Sequence, residues 1–172
     1  MAPATTRTFL PPAATLRHAN ARFLGRFAFF ADFMLTLTFK PDRFGDLPTE
    51  RELHRQLRHM ISCWDTHRWK NRMRFNPKCQ VLFLPVVEGA QGQKRIHAHI
   101  LVGNVGDEKA VRLFVEHYID KKAKLVADRY DIKSIYAADG MAWYLTKETD
   151  NWNDGAVAWE IASIPPALWP KQ

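Results

Sequence analysis

The sequence predicts an α+β domain: a ferredoxin-like βαββαβ antiparallel sheet with helices on one face and an added C-terminal helix. Three observations carry that expectation. The run FMLTLTF, residues 33–39, alternates apolar and polar positions with the period of a half-buried strand. Two β-rich runs, Gln80 to Glu88 and Lys94 to Val102, are separated by GAQGQ, whose glycines suit a hairpin turn. Helix-periodic segments then fall after the first strand and after the hairpin.

Taken in order, Phe33, Leu35, Leu37 and Phe39 form the buried side of strand one, which Lys40-Pro41 ends. Thr49 with Glu52 three residues on is a capping box, and Leu53, Leu57, Met60, Ile61 and Trp64 follow at helical spacing, predicting about four turns. Pro85 places the second strand at an edge or a bulge, because proline brings no N–H to a ladder. Asp107 caps a second helix carrying Val111, Phe114, Val115 and Tyr118. DIKSIY, residues 131–136, reads as a short fourth strand, and Asp139-Gly140 opens a third helix through MAWYLTKE.

The chain has 172 residues, 47% of them hydrophobic, enough for one domain with its own core. Residues 1–30, rich in Ala, Pro and Thr at first and then in Arg without acidic residues, read as a partly disordered leader or DNA-contacting arm, and 31–172 as the domain. A formal charge of +7 favours polyanionic partners. Two cysteines, Cys63 and Cys79, without CxxC spacing, exclude a zinc finger and fit a reducing compartment, cytoplasmic or nuclear, better than secretion. No apolar run approaches the roughly 20 residues that span a bilayer.

The candidate chemistry lies in three places. In RIHAHILV the strand period sends His97 and His99 to the same side, where two imidazoles can share a divalent cation. Glu88, at the other end of the hairpin, becomes a third ligand if the numbers of opposed residues sum to an odd value; otherwise it is a solvent-exposed Glu at a turn. Tyr144 is followed at i+3 and i+4 by Lys147 and Glu148, so on a continuous helix the three share a face. A phenol is a poor nucleophile at its usual pKa of about 10 and needs a neighbouring cation.

FMLTLTFK, HAH (His97–His99) and YLTK (Tyr144–Lys147) occur in the order in which the Rep class of HUH endonucleases carries its first motif, its histidine-hydrophobic-histidine motif and its YxxK motif. Over roughly residues 33–148 the chain resembles that family. The resemblance implies an antiparallel sheet with a tyrosine helix laid over a metal, Mg²⁺ or Mn²⁺, held by His97, His99 and Glu88. It implies that Tyr144 attacks a phosphodiester of single-stranded DNA, or of a DNA hairpin, to leave a 5′-phosphotyrosine link, with Lys147 stabilising charge. Rolling-circle replication or transposition would follow. Lys40, Arg95 and Trp143 are the candidate DNA contacts. Tyr136 precedes Tyr144 closely enough to raise a two-tyrosine variant. The sequence has no GxxxxGK[ST] loop, so unwinding falls to a separate helicase or the substrate is already single-stranded. Two other classes stay open: a non-catalytic single-strand-binding module, and a hydrolytic metal-dependent phosphodiesterase in which Tyr144 is incidental.

Overall fold

The computed structural model describes residues 13–41, 43–69, 80–89, 96–121, 126–146 and 157–168. Helix α1 (Ala13–Ala28) is followed by β1 (Phe33–Phe39), α2 (Glu50–Trp69), β2 (Leu82–Glu88), β3 (His97–Gly103), α3 (Glu108–Lys121), β4 (Val126–Ser134) and α4 (Ala138–Leu145), with short 3₁₀ turns at Trp159–Ile161 and Pro166–Leu168. The strands form one antiparallel sheet in the order β2-β3-β1-β4. The fold is therefore α+β, a four-stranded antiparallel sheet with four helices.

Local chemistry accounts for most boundaries. At the start of α2 the Thr49 N–H donates to Glu52 Oε2 at 2.9 Å and the Glu52 N–H donates to Thr49 Oγ1 at 3.3 Å, the reciprocal pair of a capping box. Asp107 Oδ1 accepts from the Ala110 N–H at 2.8 Å and starts α3. Pro85 lies in the edge strand with its missing donor turned away from β3. On that outer edge Phe83 exchanges both backbone bonds with Ser163, and the Pro85 carbonyl accepts from Ala158. The segment around 157–163 thus covers the edge that proline would otherwise leave half-dressed. At Gly103 a Cβ would overlap the Phe30 carbonyl, so glycine lets the chain entering β1 cross closely over the end of β3.

Strands β1, β2 and β3 send alternate residues into two separate cores. On one face α2 and α3 pack Leu53, Leu57, Met60, Trp64, Phe114 and Tyr118 against Leu35, Leu37, Ala98 and Ile100. On the other, Leu24, Phe27 and Ala28 of α1 and Ala142 and Leu145 of α4 pack against Met34, Leu84, Val86 and Leu101.

Three sequence expectations change here. Residues 13–28, read as part of a leader, are helical, and their apolar stripe belongs to the second core, so the folded body begins before residue 31. The sheet also carries helices on both faces rather than one, because α1 joins α4 there. The fourth strand starts earlier than DIKSIY and ends at Ser134: Tyr130 and Ile132 turn inward while Arg129, Asp131 and Lys133 face solvent. Its opening VADR has no apolar-polar alternation to read.

Candidate metal centre and tyrosine

The hairpin register decides the site. Glu88 pairs with His97 and Val86 with His99, so the opposed numbers sum to an odd value and the carboxylate shares the histidines' face. On the other side of β3, Thr36 of β1 pairs with His99 and Thr38 with His97. Three strands thus bring Glu88, His97, His99 and Thr36 together on the α1/α4 face.

The distances are those of a linked cluster. Glu88 Oε2 lies 3.0 Å from His97 Nε2 and 3.5 Å from His99 Nε2. His99 Nδ1 is 2.9 Å from Thr36 Oγ1. One ligand atom from each of Glu88, His97 and His99 lies within 4.8 Å of the others. Glu88 is 2% exposed and His99 3%, whereas the His97 side chain is 22% exposed and opens the cluster to solvent. The reading of Glu88 as an exposed turn residue is thereby removed. His99, on the side it shares with His97, is not open to solvent, and Tyr144 of α4 lies against its ring.

Burial sets what the cluster can do. A carboxylate withdrawn from water costs several kcal/mol unless positive charge compensates it. Two neutral imidazoles supply none, whereas a proton or a bound cation would. His99 Nε2 is buried without a hydrogen-bond partner among the described residues, aimed at the space beside Glu88. When Nδ1–H donates to Thr36 Oγ1, Nε2 carries a lone pair, which is how a metal-binding imidazole is oriented. The donors present, two nitrogens and a carboxylate oxygen, fit a divalent ion, and this group could hold one.

Tyr144 stands beside the cluster. Ala142 and Leu145, each 1% exposed, anchor α4 on the sheet, and Met141 packs at the edge of the same core. This leaves Tyr144 43% exposed, with its ring edge-on to His99 at 5.2 Å between centroids and 70° between planes. The other tyrosines are elsewhere. Tyr118 belongs to the opposite core, where it accepts from Gln56 Nε2 at 2.6 Å and burial pushes its phenol well above the usual range. Tyr130 packs against that core too and donates to Glu116. Tyr136, 95% exposed, precedes α4 instead of sharing it with Tyr144.

Lys147 and Arg95 lie outside the described residues, as does the Trp69 side chain. The helix carrying Tyr144 ends at Leu145, with Thr146 as its cap. Lys40 is exposed just past β1, and Trp143, 40% exposed, contacts residues of α1. Sequence reasoning passed over Thr36. Its signal was present as one of two polar positions in an otherwise apolar β1, but only the pairing of β1 with β3 gives that position a partner. No known family, curated protein or solved structure matches this chain.

Proposed function

We propose that this protein is an endonuclease of the HUH kind, which cuts and rejoins single-stranded DNA through Tyr144, in the service of rolling-circle replication or transposition. The observation that carries the reading is the tyrosine ring set against His99 of the Glu88–His97–His99 cluster. The sheet order β2-β3-β1-β4, with one helix between β1 and β2 and another between β3 and β4, supports the ferredoxin-like arrangement that the reading implies.

A Mg²⁺ or Mn²⁺ ion bound by Glu88, His97 and His99 would supply positive charge that orients the scissile phosphate and draws electron density from it. Glu88 and His99 hold their places through burial, and Thr36 fixes the His99 ring. Tyr144, exposed at the mouth of the cluster, has access to a polymeric substrate. Its phenol oxygen forms a bond to phosphorus as the bond from phosphorus to the 3′ oxygen breaks; the phenol gives up its proton and the 3′ oxygen gains one. One phosphodiester is exchanged for another, so the reverse step reseals the strand. Lys147 is assigned the stabilisation of charge during the exchange.

A pool of single-stranded oligonucleotides with a randomised centre, incubated with Mn²⁺ and run on a denaturing gel, tests the reading. The wild type is expected to yield a covalent adduct and Tyr144→Phe none, with DNA binding kept. Cleavage to free ends without an adduct would assign the site to hydrolysis instead.

A further inference from the structure

Helix α1 carries Arg17, His18, Arg22 and Arg26 and no acidic residue. His18, Arg22 and Arg26 recur every four residues, so they share one side of the helix, and all three are exposed. The opposite side, Ala21, Leu24, Phe27 and Ala28, is buried. An ordinary solvated helix face mixes signs: α3 sets Arg112 on Glu108 at 2.9 Å. Like charges at this spacing oppose a helix instead of supporting it, and Arg22 and Arg26 stand four residues apart on the exposed side of α1.

That line of basic side chains begins at Trp143, the residue before Tyr144 in α4. Arg17 lies over the Trp143 ring, its guanidinium carbon 5.4 Å from the centroid, and His18 meets the same ring edge-on at 4.8 Å. Further along α1, Gly25 approaches Asp139 and Ala142 of α4. The two helices therefore run antiparallel, and the cations lead away from Trp143, the immediate neighbour of Tyr144. From His18 to Arg26 the helix rises about 12 Å, the length of three to four stacked nucleotides.

We propose that α1 and Trp143 form a binding track for a single-stranded polynucleotide, in which Trp143 stacks a base next to the nucleotide presented to Tyr144, and His18, Arg22 and Arg26 hold the phosphates that follow. The destination of the strand rests on the endonuclease reading; the track itself does not. A half-exposed indole that takes a guanidinium over its ring is a surface on which any base can stack, and the spaced basic side chains match a backbone that carries one charge per nucleotide. A duplex keeps its bases stacked inside and cannot use the indole.

Fluorescence anisotropy of the full chain with labelled dT20 in EDTA, over a range of NaCl concentrations, tests this. Arg22→Ala/Arg26→Ala is expected to lower the slope of log affinity against log salt by about 1.4, roughly 0.7 for each phosphate left without its arginine. Trp143→Ala is expected to weaken binding about tenfold with the slope unchanged. Affinity and slope equal to the wild type in both variants, or a dT20·dA20 duplex bound as tightly as dT20, would overturn the track. If dT20 binding depends on these residues while the wild type forms no adduct with the randomised pool, the endonuclease reading fails and the track stands. An adduct formed with binding indifferent to both variants gives the converse.

Discussion

The two faces of the sheet are built from the same strands and are put to different uses. On the α2/α3 face the strands contribute Leu35, Leu37, Ala98 and Ile100, and the helices answer with Leu57, Trp64 and Phe114, while the buried Gln56 and Tyr118 satisfy each other. On the α1/α4 face an apolar half, Met34, Leu84, Val86 and Leu101, gives way to Thr36, Glu88, His97 and His99 toward one end of the same strands. The first face is cheap to bury. The second accepts the cost of a buried carboxylate, and the rigidity to hold it comes from the first.

Substitutions at five positions put that division under strain, from the largest expected effect to the smallest. Leu57→Ala, at a position with no exposure, is expected to cost about 2–5 kcal/mol in urea unfolding while the folded protein binds Mn²⁺ as before. Weaker ion binding in step with lost stability would show that the two faces are not separable. Glu88→Ala and Glu88→Gln should reduce Mg²⁺ affinity at least about 100-fold, and Mn²⁺ affinity less, because two imidazoles alone favour the softer ion. Calorimetric curves for both ions that overlay the wild type would place the third ligand elsewhere.

The histidines separate burial from ligation. His99→Ala is expected to lose about 1–3 kcal/mol of stability together with ion binding, since Thr36 and Glu88 lose a buried partner, whereas His97→Ala, nearer solvent, should lose ion binding with stability changed by no more than about 0.5 kcal/mol. Equal melting curves for the two variants would mean that burial at His99 contributes nothing. The smallest effect is at Thr36. Thr36→Val should weaken ion binding about tenfold and shift the His99 ring nitrogens in ¹⁵N spectra, and Thr36→Ser should restore both. An unmoved nitrogen spectrum in Thr36→Val would end the positioning role.

What was legible in the sequence was local. The alternation of FMLTLTF gave β1 with its residues Phe33–Phe39, and Thr49 with Glu52, like Asp107, marked helix starts that the hydrogen bonds reproduce. Glu88, His97 and His99 were legible because a hairpin makes partners of near neighbours, so counting across a turn is enough. Thr36 was not, because its partner is 63 residues away and depends on which strand lies beside β3. Helix α1 escaped for another reason. Its buried side is made partly of alanines around a glycine, a faint stripe that becomes meaningful only once α4 and the sheet are present to receive it. The segment from 157 to 168 has no periodicity to read, since it holds its place through isolated backbone pairs on β2 and through Trp159 against Phe23 and Phe27.

That last segment has a thermodynamic consequence for the site. Glu88 sits on the edge strand and the histidines on its inner neighbour, so fraying of β2 would carry the carboxylate away from the imidazoles. The outer edge of β2 is held by Ser163 and Ala158, and the same stretch is tied to α2 by the Glu160 carboxylate on His54. An ion gripped by all three ligands and a tail zipped onto β2 both favour the one closed arrangement of that strand. By linkage, whatever factor this segment contributed to the affinity of such an ion, the ion would return to the segment, so a contact on the far side of β2 would act as a silent partner in ligation without touching a ligand.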